Sequence, residues 1–109
     1  MRHELLTKDE QIKFCALLGE NLSVLRMKAS ISQESLSKRL GYSRVQLGVW
    51  ERGEVIMRWS VFSSFVLFFS NNRDAREIMI ALGILNNDVA KILDVNFSKE
   101  SYPKKEAWS

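Results

Sequence analysis

Cys15 and His3 are the only cysteine and the only histidine in the chain. A lone thiol cannot close an intrachain disulfide, and one Cys with one distant His cannot build a zinc cage. Cys15 reads as a buried thiol in a reducing compartment, and His3 has no partner for metal binding or acid–base work. No residue pair has the spacing of a nucleophile with its base, and there is no phosphate-cradling glycine loop. The expectation is a protein that is not an enzyme and carries neither metal nor cofactor. What remains is electrostatic chemistry. Residues 26–58 carry seven basic side chains (Arg26, Lys28, Lys38, Arg39, Arg44, Arg52, Arg58) against three acids (Glu34, Glu51, Glu54), a balance of +4. The whole chain has a net charge of +3, so the remainder sums to −1. Positive charge gathered in the middle third is the footprint expected for a nucleic-acid partner, although solvated helix faces can produce the same count.

The elements that must position this charge are legible as helices. At 109 residues, 46% apolar and 27% charged, the chain suits one soluble domain with short extensions. Its only proline is Pro103, so the rest reads as helices joined by tight turns. Thr7 and Glu10 form a capping box that starts a helix near Lys8. The stripe Ile12, Cys15, Leu18, Leu22, Leu25 and Ala29 then faces inward, and the helix ends near Lys28. Phe14, Leu17 and Val24 lie off that stripe, available for further packing or a subunit contact. Ser32 caps a second helix with Leu36 and Leu40 inward, ended by Gly41. Ser43 and Gln46 form an S-x-x-Q capping box that opens a third helix, with Leu47 and Trp50 inward and Gly53 at its end. Two short helices around a glycine-containing turn make a helix-turn-helix over about 33–52.

The apolar segment 60–70 is expected as a helix with Phe62, Phe65, Val66 and Phe69 on one face. Its aromatic and β-branched residues would also suit a strand, but nothing else in the chain offers a sheet partner. Asn72 caps a fifth helix containing Ile78, Met79 and Leu82, ended by Gly83, and residues 88–93 form a last helical turn. The longest apolar run, 61–69, is too short for a membrane span of about 20 residues. The first ten residues lack the apolar core of a secretory signal. The expected location is the cytoplasm, without membrane association. The expected organisation is a flexible N-terminus (1–7), a helical domain (8–85), a short helical extension (86–97) and a polar tail (98–109).

Residues 26–53, RMKASISQESLSKRLGYSRVQLGVWERG, closely resemble the phage-repressor (Xre/Cro-type) helix-turn-helix family. The resemblance rests on Arg26, Ser32-Gln33-Glu34, Leu36, Leu40-Gly41, Ser43, Leu47 and Trp50-Glu51-Arg52-Gly53. It covers about a quarter of the chain strictly and extends loosely to about Leu85. It implies an all-α, compact, five-helix lambda-repressor-like DNA-binding domain. It also implies an ion pair between Arg26 and Glu51 that braces the recognition helix, with Leu36, Leu40, Gly41, Leu47, Trp50 and Gly53 supporting the motif. By the same resemblance Arg44, Val45 and Val49 hold base-reading positions, with Gln46 a fourth candidate. An arginine at a helix tip can bind guanine through both major-groove acceptors, and valines can pack on thymine methyls. Gln33 and Ser43 are implied as phosphate contacts, where helix N-termini attract anions. Arg52 and Arg58 are expected to neutralise phosphates. Gly48, costly inside a helix, either slims the surface where the backbone nears DNA or is a tolerated surface glycine.

Many relatives carry a basic, proline-containing loop after the glycine, whereas this chain has Glu54-Val55-Ile56-Met57. That apolar trio implies burial in the core or at a subunit interface. The expected function is a sequence-specific transcriptional regulator, a repressor binding double-stranded DNA at a palindromic operator as a homodimer through recognition helix 44–52. The candidate dimer surfaces are the fourth and fifth helices and the residues after Gly83. Two other functions fit the same fold. One is an antitoxin that binds a toxin and its own promoter. The other is a protein-interaction module, suggested by the apolar face of Val45, Gly48 and Val49.

Overall fold

The structure is a computed structural model that describes residues 6–95. His3, Pro103 and the expected tail 98–109 lie outside the described residues, as do residues 1–5 of the expected flexible N-terminus and 96–97 of the expected extension. Among the described residues the chain is all-helical, with α1 (Lys8–Lys28), α2 (Gln33–Leu40), α3 (Arg44–Glu51), α4 (Trp59–Phe69), α5 (Arg73–Ala81) and α6 (Asn87–Leu93). None of these helices is long and apolar enough to cross a membrane.

Local chemistry sets the helix ends. The Glu10 N–H donates to Thr7 Oγ1 at 3.1 Å and the Thr7 N–H donates to Glu10 Oε1 at 2.9 Å, so two otherwise orphaned donors are satisfied where α1 begins. Ser32, Asn72 and Asn86 cap α2, α5 and α6 through their side-chain oxygens. Ser43 Oγ accepts from the Gln46 N–H at 3.0 Å. That bond runs one way: the reciprocal half of the S-x-x-Q box is not made among the described residues, and the Gln46 side chain stays exposed. At the far ends, Gly41, Gly53 and Gly83 take φ of +82°, +74° and +79°, the left-handed conformation that terminates helices cheaply only at glycine. Helix α1 ends without one: Ser30 adopts φ +57°, and the Ile31 N–H closes back on the Arg26 carbonyl at 3.0 Å.

The core is one cluster. Leu18, Leu22 and Leu25 of α1 meet Leu36 of α2, Leu47 and Trp50 of α3, and Phe62, Phe65, Val66 and Phe69 of α4. Ile12 departs from the expected inward stripe and is about half exposed. It stands in the second turn of α1, before Cys15, the first buried position of the stripe. Phe14 and Leu17 instead pack against the core, Phe14 on Phe62 with ring centroids 6.1 Å apart. Gly19 is the residue that lets α1 approach α3, because a Cβ there would stand 3.3 Å from the Trp50 carbonyl oxygen.

Helix α4 begins at Trp59, one residue before the expected start, with that indole stacked on Phe62 at 4.6 Å. Its two half-buried serines are compatible with an apolar helix because their hydroxyls bond inside it, Ser63 to the Trp59 carbonyl and Ser64 to the Val61 carbonyl, each at 2.8 Å. Since Ser64 spends its one proton there, Tyr42 is the donor in the 2.9 Å contact between Tyr42 Oη and Ser64 Oγ. Tyr42 thereby ties the α2–α3 turn to α4, edge-on to Trp50 at 5.1 Å.

The domain does not close with five helices. Ile84 and Leu85, at the end of the expected domain, are buried in the same cluster, and so are Val89 and Ala90 of α6, so the segment expected as an extension contributes to the core. Leu6 is buried there as well, at the end of the segment expected to be a flexible N-terminus. Leu82, at the C-cap of α5, is exposed, as are Ile80 and Leu67. The apolar trio splits: Met57 is buried, while Val55 and Ile56 are more than half exposed.

Two measurements check this packing. Gly19→Leu inserts four carbons against the Trp50 carbonyl, and chemical denaturation should show a loss of about 1–3 kcal/mol from overpacking. Cys15 is 2% exposed, and burial pushes its thiol up to about 11. The folded state therefore holds the proton more tightly than the unfolded chain. Its contribution to stability is complete below pH 9 and is lost as pH rises toward 11. A disulfide reagent at neutral pH should label Cys15 only as the protein unfolds; rapid labelling of the native protein would show that the site is open.

Candidate nucleic-acid interface

Three helices converge on one carboxylate. Arg26, in the last turn of α1, donates from Nε to Glu51 Oε2 at 2.6 Å and from Nη2 to Glu51 Oε1 at 3.3 Å. Gln33, the first residue of α2, donates from Nε2 to Glu51 Oε1 at 2.8 Å. The remaining guanidinium nitrogen, Nη1, reaches the Ile31 carbonyl at 3.2 Å. The Arg26 and Glu51 side chains are 17% and 8% exposed. A carboxylate so far out of water is costly unless its lone pairs are filled, and here three donors fill them. The result locks the angle between α2 and α3 and their common seat on α1.

With Leu47 and Trp50 turned into the core, the opposite side of α3 faces solvent. Arg44 stands at its first position and is exposed, with Val45 and Gln46 after it. Val45 is 77% exposed, the highest of the large apolar side chains among the described residues. Val49 lies one turn on, half-buried on the same face. Of the base-reading candidates, then, Arg44, Val45 and Gln46 share one exposed helix tip and Val49 borders it.

The expected phosphate contacts are less uniform. Ser43 is the N-cap of α3, so its hydroxyl is engaged and its surroundings are the free N–H groups of the first turn. The Gln33 carboxamide is turned onto Glu51, which leaves the α2 backbone N–H groups as the anion-attracting feature there. Arg58 is exposed at the N-cap of α4. Arg52 does not reach out beyond the helix: its guanidinium pairs with Glu54 and covers Gly48, where an added Cβ would stand 2.9 Å from Arg52 Nη1. Gly48 is accordingly buried beneath the side chain of the residue that caps its helix, rather than lying open as a bare surface glycine. Neither the Gln33–Glu51 contact nor the Arg52–Glu54 pair had been anticipated from sequence. The i,i+2 spacing of Arg52 and Glu54 across Gly53 was the available signal for the second.

Comparison with protein-family models, with curated proteins and with solved structures finds no match for this chain.

Removing one member of the three-helix clamp strands the others. Glu51→Ala leaves a partly buried guanidinium and a carboxamide without their acceptor, and should cost about 2–4 kcal/mol in denaturant unfolding. A loss below 0.5 kcal/mol would place the pair among surface ion pairs of little consequence.

Proposed function

We propose that this chain is a sequence-specific, double-stranded-DNA-binding transcriptional regulator of the phage-repressor-like (Xre/Cro-type) helix-turn-helix family, with a lambda-repressor-like helical domain. The observation that carries the proposal is the solvent-facing tip of α3, where Arg44, Val45 and Gln46 project from a helix held rigidly by Arg26, Gln33 and Glu51. A helix braced on its inner side and bare on its outer side suits insertion into the major groove, because base readout demands side chains whose direction is set before contact.

In this mechanism Arg44 binds guanine, Val45 and Val49 contact thymine methyls, and Gln46, freed from capping by its own side chain, is a further base contact. Ser43 with the α3 N-terminus, the α2 N-terminus at Gln33, Arg52 and Arg58 meet phosphates and set the register. Occupying a promoter in this way makes the regulator a repressor, with the cytoplasm as its proposed location.

A palindromic operator requires two copies related by a two-fold axis. Leu67 of α4, Ile80 of α5 and Leu82 at the C-cap of α5 are exposed apolar side chains, which favours the fourth and fifth helices for a homodimer over the region after Gly83, where Ile84, Leu85, Val89 and Ala90 are already buried. A second reading has its own support: Val45, Val55 and Ile56 are each more than half exposed, which suits contact with a protein, such as a toxin or another regulatory partner.

Titration of the purified chain against duplex DNA from upstream of its own gene and against a scrambled duplex separates the two readings. The expected outcome is specific binding that persists in moderate salt and weakens by about 1–3 kcal/mol in Arg44→Ala. Equal, salt-labile binding to both duplexes, or none, would remove the regulator reading and turn attention to a protein partner.

A further inference from the structure

Arg52 differs from the other basic residues of the α3 surface. Among the described residues Arg44 and Arg58 have no ion-pair partner, whereas Arg52 is held twice by one carboxylate. Its Nε lies 2.7 Å from Glu54 Oε2, and its Nη2 lies 3.4 Å from Glu54 Oε1. That edge of the guanidinium is the fork that would otherwise take two oxygens of a phosphate.

The backbone builds this arrangement. Gly53, at φ +74°, turns the chain back on itself. The Gly53 N–H bonds to the Trp50 carbonyl and the Glu54 N–H to the Val49 carbonyl, both at 3.1 Å, so Glu54 is returned alongside the helix it has just left. Arg52 lies three and seven residues beyond Val49 and Val45, on the same helical face. Side chains on a helix lean toward its N-terminus, and for Arg52 the turn beneath is Gly48. The missing side chain there is what allows the guanidinium to rest on the helix surface. Glycine at 48, glycine at 53 and glutamate at 54 thus act together on one arginine.

We propose that Glu54 is an internal counterion that competes with DNA phosphate for Arg52 and so restrains the part of DNA affinity that is independent of sequence. This rests on the DNA-binding function proposed above. Both partners are more than half exposed, so the pair is weak enough to open and a phosphate can replace the carboxylate. The carboxyl of Glu54 is held below its ordinary range by the hydrogen bond and charge of Arg52, so the counterion is fully charged at neutral pH. A regulator in a genome full of competing sites gains from such restraint, because occupancy depends on the ratio of specific to non-specific affinity rather than on tightness alone.

The test compares the full-length parent, Glu54→Gln, Arg52→Ala and the double variant on the upstream and scrambled duplexes over a range of salt. Glu54→Gln should tighten binding to both duplexes by roughly two- to fivefold at low salt. It should also steepen the salt dependence by about 0.9 in slope, because in the parent the carboxylate displaced from Arg52 takes up a cation that offsets the one released from the phosphate. In the Arg52→Ala background the same change should have little effect. Equal tightening with and without Arg52 would overturn the proposal, since the glutamate would then act only by repelling DNA at a distance. No tightening at all would overturn it as well. Failure of the parent to bind either duplex is a failure of the DNA-binding function and takes this proposal with it. Specific parental binding without coupling between residues 52 and 54 removes the counterion role alone. As a DNA-free check, the Glu54 carboxyl should titrate at higher pH in Arg52→Ala than in the parent; an unchanged titration would show that the pair is not formed in solution.

Discussion

The carboxylate of Glu51 stands at the meeting point of three helices, and the exposed surface of α3 depends on it. Arg26 arrives from α1, Gln33 from α2, and Glu51 itself closes α3. Short helices of eight residues have little stability of their own in water, so their orientation must come from outside. Apolar packing of Leu36, Leu47 and Trp50 brings α2 and α3 onto α1, but hydrophobic contact is non-directional. Charge-assisted hydrogen bonds to a single carboxylate supply direction, because each donor must lie along a lone pair at short range. The irregular end of α1 serves the same purpose: the Ile31 N–H returns to the Arg26 carbonyl while Arg26 Nη1 reaches the Ile31 carbonyl. The arginine is thereby fastened at both ends.

Around this clamp the core solves a second problem, which is how to seat an aromatic, serine-bearing helix without orphaning polar groups. The α4 hydroxyls bond to carbonyls one turn back, and the Tyr42 hydroxyl closes the chain of hydrogen bonds by donating to Ser64. Tyr42, Trp50 and Phe65 meet in edge-on and tilted pairs, the geometries that bring ring edges to ring faces. This cluster sits directly behind α3. The outer face of the helix can therefore be varied while its inner face stays locked.

Much of this was legible in the chain because it is local. Thr7, Ser32, Ser43 and Asn72 cap helices through bonds spanning three residues, and Gly41, Gly53 and Gly83 end them through a backbone conformation that other residues adopt only at a cost. The inward leucines follow from helical periodicity. Ile12 shows the limit of that logic: it lies on the right stripe, yet a stripe is buried only as far as neighbours extend to cover it. The short segment after Gly83 shows the converse. Its few apolar residues carry weak periodicity, but they fill the space left by the other five helices.

By itself, then, the amino-acid sequence determined an all-helical chain, the ends of its helices, most of its core and the exposed tip of the third helix. All of these depend on spacings of three or four residues. The tertiary structure alone decided that Gln33 turns onto Glu51, that Val89 and Ala90 belong to the core, and that Arg52 folds over Gly48 onto Glu54. A long polar side chain chooses among acceptors within several ångströms, and that choice is made by which groups the packed helices bring within hydrogen-bond reach.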